Sequence, residues 1–85
     1  MAVNVLIVDD SAVMRAMIQK TMKLSGLQLG EIHQAANGRE GLETLERQWS
    51  DLVIADISMP VMTGEEMIEH MQANPNLKTI ATIVI

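Results

Sequence analysis

The chain has 85 residues, enough for one small domain whose core is only just sufficient for independent folding. Its hydrophobic share of 48% excludes a disordered chain, and its apolar runs are strand-sized, too short for a membrane-spanning helix. A net charge of −5 disfavours a nucleic-acid surface and suits a cation or a basic partner, and the lack of cysteine excludes disulfides and thiolate metal sites. Met1-Ala2-Val3 leads straight into a strand pattern with no signal segment, so a cytoplasmic protein is expected. Trp49 is the lone aromatic residue against eight methionines, so the core must be aliphatic and Met-filled.

Val3 to Val8 reads as a buried strand, short and Val/Ile/Leu-rich, ending in the acidic pair Asp9-Asp10. Ser11 then caps a helix to about Ser25, with Val13, Met14, Met17, Ile18, Met22 and Leu24 at helical spacing and Gly26 as its stop. Glu31 to Ala36 is a weaker strand. Asn37-Gly38 has the look of a hairpin turn, but Glu40 three residues after Asn37 favours a cap. The helix it opens is expected to run to Trp49, with Leu42, Leu45 and Trp49 on one face and Trp49 stapled against the third strand. Gly41 inside that helix costs about 1 kcal/mol relative to Ala, which predicts a packing reason for it.

Asp51 to Ala55 is the third strand, ending in Asp56. Residues 58–62 form a loop, and Thr63-Gly64-Glu65-Glu66 is a capping box opening a helix with Met67, Ile68 and Met71 inward. Asn74-Pro75 ends it, and Thr79 to Ile85 is the fourth strand. This strand–helix alternation is the pattern of an α/β fold, a parallel sheet with right-handed crossovers, and residues 1–85 read as one unit.

In open α/β sheets, ligands bind beyond the carboxyl ends of the strands. Asp9 and Asp10 follow strand one and Asp56 follows strand three, so the three carboxylates converge if those strands are neighbours. Taken alone, Asp9-Asp10 suits a helix cap or dipole partner, and Asp56 suits a turn as well as chemistry. Together they suit a hard divalent cation, which relieves their mutual repulsion, and a carboxylate nucleophile toward a phosphoryl group.

Segments 5–15 (VLIVDDSAVMR), 35–42 (AANGREGL) and 51–64 (DLVIADISMPVMTG) resemble those of response-regulator receiver domains of the chemotaxis type, in order and at compatible separations. The resemblance implies a flavodoxin-like sheet, here an incomplete (βα)3β with strand order 2-1-3-4, covering the N-terminal portion of a single receiver domain. It implies Asp56 as the phosphoryl acceptor from a sensor histidine kinase. It implies a Mg²⁺ site of Asp9, Asp10, Asp56 and the Ser58 backbone carbonyl, with Asp10 the direct ligand and Asp9 acting partly through water. Met59, Pro60 and Gly64 would shape the loop. Thr63 stands where the family usually has an acid, a change its capping role makes neutral.

The resemblance further places a switch Ser/Thr and a phosphate-binding Lys beyond Ile85, and Lys78, before strand four, cannot replace the latter. Impaired phosphorylation by truncation is therefore expected. So is a homo-dimer or oligomer through strand 80–85 and helix 11–25, with no nucleic-acid or membrane partner. The competing readings are an oligomerising structural fragment without signalling activity and an aspartyl-nucleophile phosphatase. The phosphatase is disfavoured because Ser58 stands where its second acid belongs. His33 and His70 are expected to face solvent, without partners at ligand spacing.

Overall fold

The structure, a computed structural model, describes residues 2–85; Met1, first in the expected lead-in to the sheet, lies outside the described residues. Four strands and three helices alternate: β1 (Val3–Val8), α1 (Ala12–Leu24), β2 (Leu29–Ala35), α2 (Gly38–Arg47), β3 (Leu52–Ala55), α3 (Gly64–Ala73) and β4 (Ala81–Val84). All pairings are parallel, in the order β2-β1-β3-β4. This is the flavodoxin-like order, and it makes β1 and β3 neighbours.

β1 is central, and Val5, Leu6, Ile7 and Val8 are all fully buried. A strand covered on both faces needs an unbroken apolar run rather than alternation, which VLIV supplies. Its side chains still part by the period of two. Leu6 and Val8 enter the larger core with Val53, Leu45, Met67 and Met71, under α2 and α3. Val5 and Ile7 enter a smaller cluster with Ile54, covered by Ile18 and Met22 of α1. Removing a side chain such as Met67 from the larger core would cost about 2–5 kcal/mol.

Gly41 has the packing reason its position called for. A Cβ there would lie 3.0 Å from Met67 Sδ and 3.1 Å from a Val8 methyl, so α2 could not settle as closely on β1 and α3. At the amino ends of the strands, Asn4 ties three of them together. The β1–β2 register shifts between Val3 and Val5, and there Asn4 Oδ1 accepts from Glu31 N (2.8 Å). Asn4 N donates to Asp51 Oδ2 (2.9 Å), and Asp51 N donates back to Asn4 O (2.7 Å).

The structure corrects several sequence expectations. α1 has the expected cap, Ser11 Oγ accepting from Met14 N, and ends before Gly26 at φ 85°. No residue of it is buried, and Val13, Met17 and Leu24 are more than half exposed, a point on which the spacing itself is silent. α2 stops at Arg47 rather than Trp49, because Gln48 turns to extended backbone (φ −133°, ψ 126°). Trp49 is therefore 55% exposed and belongs to neither core cluster; its Nε1 donates to Asp51 Oδ1 (2.9 Å) beside the start of β3. β2 begins at Leu29, two residues before Glu31, and β3 begins at Leu52. β4 begins at Ala81 rather than Thr79, because Leu77 and Ile80 are drawn into the core from the turns that follow α3. His33 is half-buried and paired with Glu31 (2.9 Å), whereas His70 is exposed.

Candidate functional site

Two adjacent parallel strands end in acids. The β1–β3 ladder closes at Val8↔Ala55, where Asp56 N donates to Val8 O (2.9 Å). On its other side β1 continues one step further, with Asp9 N donating to Ala35 O (3.1 Å). Asp9 and Asp56 are thus the first residues past the sheet, and their backbones are held by its last rungs. One carboxylate oxygen from each of Asp9, Asp10 and Asp56 lies within 4.8 Å of the others.

The three acids differ in setting. Asp9 is buried, its Oδ1 accepting from Ser11 N (2.9 Å) and its carbonyl from Arg15 Nη1 (2.6 Å). Asp10 is exposed and Asp56 half-buried, with Ser58 N reaching Asp56 Oδ1 at 3.4 Å. Like charges at such spacing repel by about 1 kcal/mol per pair in water and by about 3–4 kcal/mol at an effective dielectric of 20. A hard divalent ion fits this donor set, since it takes carboxylate oxygens and keeps waters on the open side that Asp10 and Asp56 leave.

The loop after β3 is held from several directions. Met59 is buried in the larger core, which pins the middle of the loop. Pro60 is exposed, and Met62 N donates to Pro60 O (2.7 Å), closing a three-residue turn around Val61. Val61 has φ 68°, the left-handed region that a β-branched side chain resists, so this turn carries strain beside the acids. Gly38 N donates to Met62 O (3.2 Å), fastening the loop to the start of α2.

α3 then begins with a full capping box. Glu66 N donates to Thr63 Oγ1 (3.2 Å), and Thr63 N donates to Glu66 Oε1 (3.1 Å). Gly64 packs so closely that a Cβ would collide with the carbonyl of Asp56, while its N–H reaches Ile57 O (3.2 Å). The helix start is therefore built directly against the backbone of Asp56.

The residues singled out from sequence divide accordingly. Asp9, Asp10 and Asp56 come together; Ser58 is exposed beside Asp56, and Met59, Pro60 and Gly64 lie along the one loop. Lys78 sits in the turn before β4, away from the carboxyl ends of the strands. Sequence reasoning misses Arg15 and Val61. A lone basic residue one turn into a helix carries no pattern, and a positive φ at valine contradicts its propensity.

Residues 5–85 match the family described as the response regulator receiver domain. The chain is 41% identical over 81 residues to the chemotaxis protein CheY of Thermotoga maritima, a match covering 94% of this chain and 66% of that protein. It is 39% identical over 78 residues to a protein-glutamate methylesterase/protein-glutamine glutaminase of Rhodospirillum centenum, covering 91% of this chain and 20% of that protein. Among solved structures it is similar to chemotaxis protein CheY4 of Vibrio cholerae, with a TM-score of 0.85 and 33% identity over 99% of this chain and 68% of that one. The chain thus spans about two thirds of the chemotaxis relative and a fifth of the methylesterase.

Proposed function

Because the chain belongs to the response regulator receiver domain family, we propose that it serves chemotaxis-type two-component signalling by accepting a phosphoryl group on Asp56. The observation that carries this reading is the convergence of Asp9, Asp10 and Asp56 at the ends of adjacent parallel strands. Receiver domains are regulatory phospho-accepting domains, and the partner proposed upstream is a sensor histidine kinase.

In the transfer, a carboxylate oxygen of Asp56 forms the new O–P bond as the P–N bond to the donor histidine breaks. The imidazole nitrogen keeps the electron pair and takes up a proton. Asp9, Asp10, Asp56 and the Ser58 carbonyl would hold Mg²⁺, which when bound offsets negative charge on the phosphoryl oxygens. The backbone of Asp56, fixed by Val8 O behind and Gly64 in front, keeps its carboxylate at the mouth of the sheet. Asp10 and the loop leave that carboxylate half-open to an incoming donor.

Intact mass after incubation with acetyl phosphate and Mg²⁺ tests the assignment. The wild-type chain should gain one phosphoryl group and Asp56→Asn none. Equal gain in both, or none in either, overturns it for this 85-residue chain.

The chain's second proposed partner is another copy of itself. β4 is a terminal strand of the sheet, and beside it Met14, Met17, Ile18, Met22, Ile83 and Ile85 line an apolar groove of about 320 Å³. An uncharged, β-branched edge next to an apolar groove favours pairing between chains. This groove also supports the second reading, an oligomer that does not signal, and the phosphorylation assay separates the two. The acidic balance argues against nucleic acid. No helix among the described residues is long and apolar enough to cross a membrane, and the site of action proposed is the cytoplasm.

A further inference from the structure

Arg15 lies on the first turn of α1, four residues beyond the N-cap, and is half-buried. Its guanidinium is used as a fork. Nη1 donates to the carbonyl of Asp9 (2.6 Å), and Nε donates to Gln34 Oε1 on β2 (3.0 Å). Gln34 in turn donates from Nε2 to Gln19 Oε1, one turn further along α1 (2.6 Å). The side chain of Gln34 therefore holds the guanidinium from one side and is itself held from another.

The acceptor matters more than the count of bonds. The Asp9 carbonyl belongs to the peptide that joins Asp9 to Asp10, the two acids contributed by β1. Behind it, Asp9 N is fixed by Ala35 O, and Asp9 Oδ1 is fixed by Ser11 N. The charged donor at the carbonyl supplies the remaining restraint on that peptide plane. Turning the plane would re-aim the exposed Asp10 carboxylate relative to Asp9 and Asp56.

We propose that Arg15 is a positioning residue of the acidic site, its fork between Asp9 O and Gln34 fixing the direction from which the β1 carboxylates meet a divalent cation. This rests on the metal reading above. Charge alone predicts the opposite effect, since a guanidinium beside the site repels a cation. Lysine separates the two contributions: it keeps the charge, but as a single point it cannot reproduce the planar two-nitrogen fork.

The test is Mg²⁺ titration by calorimetry on the wild-type chain, Arg15→Lys, Gln34→Ala, their double variant and Asp10→Asn. Arg15→Lys and Gln34→Ala should each weaken Mg²⁺ binding about threefold to tenfold, at or below the lower edge of what ligand-orienting groups contribute. The double variant should be no weaker than Arg15→Lys alone. Thermal midpoints should stay close to wild type, because polar pairs at the surface contribute little to folding and lysine keeps the charge beside Asp9 O. Unchanged or tightened Mg²⁺ binding in Arg15→Lys overturns the proposal. A lowered midpoint with unchanged Mg²⁺ binding does the same, showing a merely structural role.

Asp10→Asn binding Mg²⁺ as wild type does, or no binding by wild type, would instead overturn the metal reading. The amide resonances of Asp10 and Ser11 in metal-free protein keep the positioning question separate. Arg15→Lys should shift Asp10, whose nitrogen lies on the pinned peptide, and an unmoved Asp10 resonance refutes the fork's part.

Discussion

A methyl group at Gly64 would press on the carbonyl of Asp56, and neither backbone can yield without moving the other. Gly64→Ala should therefore destabilise the fold by about 1–3 kcal/mol, the usual range for overpacking, and also slow phosphoryl acceptance at Asp56. Urea unfolding and the acetyl phosphate mass assay check the two effects separately. At the opposite end of the sheet, Asp51 accepts from Asn4 N and Trp49 Nε1, and these bonds hold its carboxyl below the ordinary aspartate value of 3.8. A depressed folded value means that Asp51 stabilises fully above the unfolded value, and that this contribution fades as pH falls through the folded one. Asp51→Asn should thus lose stability at neutral pH, while the two proteins converge in strong acid; urea midpoints at about pH 7 and about pH 2 measure the difference. Both residues carry a sequence signal of a kind, Gly64 in its loop and Asp51 at a strand start. Neither signal discloses the partner, because the folding of the loop brings Asp56 O against Gly64 and the neighbouring strand β1 brings Asn4 N to Asp51.

The three helices look alike in sequence and differ in what covers them. α2 and α3 place Leu45, Met67 and Met71 in the larger core, whereas α1 buries nothing and rests on the sheet through half-buried Ile18 and Met22. Local opening follows the density of buried apolar contacts, so α1 amides should exchange at least about tenfold faster than those of α2 and α3. Hydrogen exchange resolved by residue decides this, and uniform protection would contradict it. The helical spacing of Val13, Met17 and Leu24 was legible as a helix, but periodicity records which face is apolar and not whether a neighbour covers it. Boundaries fail for a related reason. Trp49 fits the apolar face of α2, yet Gln48 turns extended; Thr79 and Ile80 fit a strand, yet Ile80 is taken by the core.

At the scale of the molecule, the parallel order β2-β1-β3-β4 brings Asp56 beside Asp9 across 47 residues of chain. The same order leaves β4 at an edge, with Ile83 half exposed above the Met-lined groove. If two copies bury this surface together, Ile83→Lys should convert a dimer of the 85-residue chain into a monomer, as charge on an edge strand does. Sedimentation of both proteins at micromolar concentration is the measurement, and a monomeric wild type would sink the proposed pairing.

By itself, the sequence determined the alternation of strands and helices, the three caps at Ser11, Asn37 and Thr63, and the acids at two strand ends. Those features depend on side chains within a few residues of one another, so local chemistry writes them plainly. Family resemblance supplied the strand order that makes the acids neighbours. Tertiary structure decided how the elements meet: the exposure of α1 and Trp49, the pressing of Gly64 on Asp56, and the reach of Arg15 to Asp9 and Gln34. Each depends on how the loops and strands pack in three dimensions, and neither periodicity nor capping pattern encodes that.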